Sequence, residues 1–162
     1  MIKQIAWDEI YPIWETFLWP QRSSKIESNS AMVFNQPGIY RIENMHTLPT
    51  FVGYYLDSQL IGVSSGHRCI DNSYRIRGTW LNESHRGNGI AQQLIAVLID
   101  TGIKENTQFA WTIPRVGASS TMFARMGFET VSDEFSTETG TNVYSKLDYT
   151  NFHISGVTPL RV

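Results

Sequence analysis

The sequence predicts an α+β domain, a mixed but mostly antiparallel sheet of about six to seven strands with helices on both faces. Three observations lead there. Three strand-like segments separated by tight turns, Phe51–Leu56, Leu60–Ile70 and Tyr74–Asn82, read as an antiparallel meander. The apolar-periodic run Gln92–Ile103 follows and reads as a helix packed on that sheet. Between the third strand and this helix lies His85-Arg86-Gly87-Asn88-Gly89-Ile90-Ala91, a glycine-rich turn.

The remaining elements follow in chain order. Ile2–Ala6 is a short first strand. Asp8 is placed to cap a helix in which Ile10, Ile13, Trp14, Phe17 and Leu18 recur at helical spacing, and Pro20 stops it. Pro12 falls in its first turn, where proline is tolerated. Trp14 and Phe17 are assigned to the core. Residues 21–49 are polar, with a short helix expected over Ile26–Phe34, a turn at Pro37-Gly38 and an extended stretch over Gly38–Asn44. After the long helix, Gly102 marks its end, and Phe109–Ile113 reads as a buried strand closed by Pro114. Ser119–Met126 is a short helix with Gly127 as its stop. Phe128–Phe135 and Asn142–Tyr149 form a closing hairpin around Thr139-Gly140-Thr141. One domain over 1–149 and a tail over 150–162 result.

Composition narrows the function. A chain of 162 residues with 41% hydrophobic, 12% aromatic and 17% charged residues is that of a single globular domain. A net charge of −2 with no basic run points away from nucleic acid. Arg75 and Arg77 alternate on one strand and are read as local pairing or phosphate-binding groups. The single cysteine, Cys69, excludes an internal disulfide and fits a reducing, cytoplasmic setting. No apolar run is long enough to span a bilayer, so no membrane role is expected. His67-x-Cys69 offers two ligands but no zinc-type spacing beyond them, so no metal is expected.

The glycine-rich turn carries the chemistry. A loop between a strand and a helix start leaves backbone N–H groups free at the positive end of the helix dipole, where an anion such as a pyrophosphate binds. Arg86-Gly87-Asn88-Gly89-Ile90-Ala91 matches Arg/Gln-x-x-Gly-x-Gly/Ala, and Phe123-Ala124-Arg125-Met126-Gly127-Phe128 matches an aromatic followed by Gly-Phe. With the element order, these motifs make the chain resemble the GNAT family of N-acetyltransferases, best over about residues 50–149.

That resemblance implies acetyl-CoA as acyl donor. Arg86, Gly87, Asn88, Gly89, Ile90 and Ala91 would cradle its pyrophosphate, and Leu81 would offer a free strand-edge amide to the pantetheine arm or the oxyanion. The acceptor would be a small-molecule or peptide amine attacking the thioester directly. Many family members carry a proton-donating tyrosine where this chain has Phe123. A non-catalytic acyl-CoA sensor is therefore the alternative reading. Ser119, Ser120 and Thr121 read as helix-start capping residues that could also reach the sulfur. His67 is the candidate general base, through water. Trp80 and Asn82 point away from Leu81 and are candidates for the acceptor cleft. Glu83 reads as solvated and His85 as a spacer. A homodimer through the tail or the last strands is left open.

Overall fold

The computed structural model describes residues 1–152. Among these residues nine strands and three α-helices are formed. They are β1 (Ile2–Ile5), α1 (Trp7–Ile13), β2 (Thr50–Leu56), β3 (Gln59–Arg68), β4 (Tyr74–Leu81), α2 (Ile90–Lys104), β5 (Phe109–Thr112), α3 (Ala118–Arg125), β6 (Glu129–Thr130), β7 (Phe135–Thr137), β8 (Gly140–Asn142) and β9 (Ser145–Asp148). Seven strands make one sheet in the order β1-β2-β3-β4-β5-β9-β6, in which only the β4–β5 pair is parallel. The α+β class and the mostly antiparallel sheet with helices on both faces are those the sequence predicts. No helix among the described residues is long and apolar enough to cross a membrane.

Strand alternation sends side chains to two cores. Val52, Ile76 and Leu81 meet Leu94, Ile95 and Leu98 of α2, with Phe123, Met126 and Phe128 extending that layer. Six consecutive residues in the middle of α2, Leu94–Ile99, are fully buried, which explains why its apolar face is so broad. The opposite face packs Ile5, Phe51 and Val63 against Ile10 and Trp14. Further along that face Trp111 and Tyr144 pack with Phe34.

Two irregularities shape the sheet. Tyr54 faces Gly62 while Tyr55 faces Leu60, so Ile61 is an extra residue and turns toward α2. Val63 faces Trp80 while Ser65 faces Arg77, so Gly78 and Thr79 together oppose Ser64. Gly78 adopts φ +70°, the left-handed region of a glycine bulge. A Cβ there would overlap the Trp14 indole. The indole Nε1 instead donates to the Gly78 carbonyl at 2.8 Å.

Four expectations are corrected. Residues 26–34 form no helix. Two buried asparagines staple this segment: Asn29 donates to the carbonyls of Met45 (3.1 Å) and Thr47 (2.8 Å), and Asn44 donates to Met32 O at 3.0 Å. These bonds compete with helical ones, and Met32 instead bridges Tyr40. Pro12 lies in the second turn of α1, where it leaves the Asp8 carbonyl without a helical donor. The helix then widens over Trp14–Leu18, with Trp19 N–H donating to Trp14 O at 2.7 Å. Phe17 is 59% exposed, not core. The closing hairpin is broken: β6 pairs β9 in the main sheet, while β7 and β8 make a separate ribbon. Ser132 causes the break, because its Oγ accepts the Tyr144 N–H at 2.8 Å in place of a ladder partner. Of the expected tail, residues 149–151 form a short 3₁₀ turn, and 153–162 lie outside the described residues.

On the α1 face, His67 stands opposite Arg75 and Ser65 opposite Arg77, all four buried. Burial, reinforced by the charges of Arg75 and Arg77, pushes the His67 pKa down from 6.5 to about 3. The native state then binds fewer protons than the unfolded chain between those values. This stability contribution is complete above pH 6.5 and is lost as pH falls toward 3. Urea denaturation between pH 6.5 and 4 is expected to show stability falling by up to about 1.4 kcal/mol per pH unit from this group, and His67→Gln should flatten that slope. Gly78→Ala combines backbone strain with overlap against Trp14. A loss of about 3 kcal/mol is expected from those two causes, read as a lower urea midpoint.

Candidate functional site

β4 and β5 are joined by only two pairs, Tyr74 with Ala110 and Arg75 with Trp111. Beyond them the strands diverge, and residues 76–81 have no partner on that side. Pro114, which lacks an N–H, closes β5 just past this point. The Asn82 N–H donates to Ile61 O on β3 at 2.7 Å. Alternation along the strand therefore turns the N–H and C=O of Leu81 into the gap.

The glycine-rich loop sits at the end of this free edge. Gly87 and Gly89 adopt φ +87° and +76°, and nothing lies within 4 Å of a Cβ built on either. Conformation, not crowding, requires glycine there, and the space above the loop is open. Gly89 is the N-cap of α2, with no side-chain cap and no acidic residue in the first turn. No hydrogen bond among the described residues uses the N–H groups of 87–92; Gln93 is the first to bond back, to Gly89 O at 3.1 Å. A cluster of unanswered amides at the positive end of a 15-residue helix is an anion cradle. Arg86 Nε donates to Leu81 O at 3.2 Å and ties the loop to the strand end. The residues that the glycine motif singled out, Leu81 and Arg86 to Ala91, are thus brought together at one end of the gap.

The other candidates are distributed around it. Trp80 is half-buried on the α1 face and stacks on Phe17, centroids 5.0 Å apart and planes 18° from parallel. The Asn82 side chain is engaged locally, its Oδ1 accepting from Ser84 N–H at 3.1 Å. Glu83 is exposed, and His85 Nδ1 lies 3.1 Å from Ser84 Oγ. Phe123 is buried, edge-on to Phe128 at 5.1 Å. Ser120 Oγ accepts from Gly117 N–H at 3.0 Å, a capping contact at the start of α3. His67 is 1% exposed, with Nε2 unpartnered among the described residues. With a pKa near 3 it is neutral at ordinary pH and lies far below the range suited to a general base.

Arg75 and Arg77 correct the sequence reading. Neither makes an ion pair among the described residues, and both are buried on the face opposite α2. Arg75 Cζ lies 5.2 Å over the Trp111 ring, and Arg77 Cζ lies 4.9 Å and 5.0 Å over Trp14 and Trp19. Arg77 Nη1 donates to Glu27 O at 2.9 Å. Burial lowers the Arg75 pKa to about 10 and depresses that of Arg77 as well, with Arg75 and Arg22 adding repulsion at Arg77. The signal was present in the sequence: two charges alternate with Tyr74 and Ile76 in a strand otherwise fit for burial.

The face is roofed by a clasp. Glu138, in the β7–β8 turn, accepts from Ser23 Oγ and from Ser24 Oγ (2.8 Å) and pairs with Arg22 Nε at 3.6 Å. Nothing in the polar composition of residues 21–25 indicated a partner more than a hundred residues away.

The sequence profile of the acetyltransferase (GNAT) family matches residues 7–128. No curated protein matches the chain significantly. Among solved structures, a Bacillus anthracis protein described as a streptothricin acetyltransferase, in complex with acetyl coenzyme A, is 17% identical at TM-score 0.57, and the match covers 62% of each chain. A Klebsiella pneumoniae protein described as an acyl-CoA N-acyltransferase is 9% identical at TM-score 0.61, covering 91% of this chain and 96% of that one. The PaiA N-acetyltransferase from Thermoplasma acidophilum, in complex with coenzyme A, is 18% identical at TM-score 0.52, covering 62% of this chain and 61% of that one. The match thus spans under two thirds of the first and third of these proteins. At such identities the likeness is one of fold. The profile match, by contrast, runs unbroken from α1 through the glycine loop to Phe128, and the chain belongs to the GNAT family of acetyltransferases.

Proposed function

We propose that this chain transfers an acetyl group from acetyl-CoA to a primary amine of a small-molecule or peptide acceptor. The observation that carries this reading is the row of unanswered amides at residues 87–92 lying against the unpaired edge of β4. An open cradle with no Cβ fits a pyrophosphate, and a strand edge with free N–H and C=O groups fits the amide-bearing arm of coenzyme A. The Leu81 N–H faces the gap, where it can donate to a carbonyl oxygen as charge develops on it. Acetyl-CoA solved with the Bacillus anthracis structure supports the same donor.

Acetyl-CoA supplies a thioester whose acetyl carbon takes the amine directly, with the thiolate leaving. This chain's residues orient the two partners. Phe123 has no proton to give, so the departing sulfur takes its proton from solvent. His67, neutral and enclosed, serves the acceptor as a hydrogen-bond partner, and the amine proton leaves through water. Trp80, half-buried beside Gly78, contributes apolar surface to the acceptor side.

Calorimetric titration should show the natural chain binding acetyl-CoA and Gly89→Trp failing to bind it while still folding, its melting temperature lowered by a few degrees by the strain of a side chain at φ +76°. No binding by the natural chain would overturn the reading. Arg86→Ala, which frees the loop from Leu81, should weaken binding by about tenfold, the worth of one charge-assisted hydrogen bond. Binding without turnover across a panel of primary amines would favour the acyl-CoA sensor, to which the buried Phe123 lends support. For an active enzyme, kcat/KM should rise with pH along the acceptor amine's own titration. His67 should add no step between pH 5 and 8, because its pKa near 3 keeps it neutral throughout.

A further inference from the structure

Two buried guanidiniums lie on the α1 face with no carboxylate among the described residues to answer them. Arg75 is 7% and Arg77 6% exposed. Arg75 makes no hydrogen bond to any described residue, and its Nε and Nη1 are enclosed and unpartnered. Directly across the ladder, His67 Nε2 is enclosed and unpartnered too. Arg77 spends one N–H on the Glu27 carbonyl. The Glu27 carboxylate acts on Arg77 from a distance but its ion pair is with Lys25, at 3.7 Å, and Glu138 is held by Arg22, Ser23 and Ser24. Arginine keeps its proton in proteins, so two positive charges stand in a dry layer with no carboxylate among the described residues in contact with either. Isolated buried charge is strongly unfavourable, and buried ions are kept where something pairs with them.

The geometry of the cluster says what that something is. Trp111 covers the face of Arg75, and Trp14 and Trp19 cover that of Arg77. Stacking occupies the ring faces and leaves the Arg75 edge enclosed but without a partner, and such edges recognise planar anions through paired N–H donors. The location says where it comes from. Arg75 is the last β4 residue paired with β5, and Arg77 directly precedes the Gly78 bulge. Both stand at the root of the fork whose free edge leads to Leu81. From Arg77 to Leu81 the strand advances roughly 13 Å at about 3.3 Å per residue.

We propose that Arg75 and Arg77, with His67 beside them, hold a carboxylate carried by the acceptor, so that the acceptor is an amine separated by several bonds from an acid group. Placing that acid group on the acceptor rests on the transferase reading; the anion site itself rests on the buried cluster. Binding orders the molecule by its anionic end at the fork root and leaves the amine to extend along β4 toward Leu81.

The test begins without acetyl-CoA, in chloride-free buffer. The natural chain, Arg75→Gln and Arg77→Gln are titrated with 6-aminohexanoate and with 6-aminohexanamide, following the His67 imidazole resonances by NMR. The acid should bind and move those resonances, with the amide at least about tenfold weaker and each glutamine variant losing about tenfold for the acid. The acid-to-amide comparison in the natural chain stands even if a variant fails to fold. Equal affinity for acid and amide, or acid binding unchanged in both folded variants, overturns the proposal. Tighter binding of inorganic phosphate than of the acid overturns the carboxylate assignment. With acetyl-CoA added, kcat/KM for the acid should exceed that for the amide by about tenfold or more. Carboxylate binding in a chain that fails to bind acetyl-CoA would uphold the anion site and sink the transferase reading instead.

Discussion

The parallel join between β4 and β5 is two residue pairs long, and the proposed chemistry of the chain depends on its ending there. A sheet stabilises itself by answering every backbone donor and acceptor, and buried ones left unanswered are costly. Here β5 stops at Thr112 ahead of Pro114, while β4 runs on to Leu81. The result is a strand edge in the middle of a sheet, open to a ligand able to offer amides of its own. An edge at the margin of a sheet would risk pairing with other chains. This one is protected, because β5 and β9 continue the sheet on its far side.

The two faces of that sheet divide the work. The α2 side is largely apolar and holds the helix whose N-terminus makes the proposed anion cradle. The α1 side holds aromatic rings and positive charge together, with Trp14, Trp19 and Trp111 stacked on arginines. The proposed donor elements therefore rest on a conventional core. The proposed acceptor side rests on a layer in which packing and electrostatics are not separable. Arg86, bonded to the Leu81 carbonyl, keeps the cradle in register with the strand it serves.

The legible parts of the sequence are those governed by local rules. The meander, α2 and the glycine loop follow from alternation, helical periodicity and the two glycines, and each falls within a residue or two of its expected bounds. Residues 26–34 misled because Asn29 and Asn44 bond to carbonyls many residues away, a pairing that periodicity does not encode. The closing hairpin misled for a related reason: one serine hydroxyl, at position 132, takes a ladder position. Among site residues, the cradle was visible because it is built from backbone, and Gly87 and Gly89 report their own dihedral angles. Arg75 and Arg77 were visible as charges in a strand otherwise fit for burial, but what covers them was not, since residues 21–49 follow a path the sequence does not reveal. Phe17 shows the converse, an apolar residue in perfect helical phase that remains in water beside Trp80.

The contact between Trp14 and Gly78 has an evolutionary consequence. The indole fills the volume that any side chain at position 78 would need, and it also donates to that residue's carbonyl. Neither position can drift alone: a larger residue at 78 meets the ring, and a smaller one at 14 leaves a hole and an unanswered carbonyl. Among descendants of this chain the two positions should change together or not at all. The bulge that aims the end of β4 is thereby inherited as a pair of residues 64 positions apart in sequence, and a substitution at one of them is a sign to look at the other.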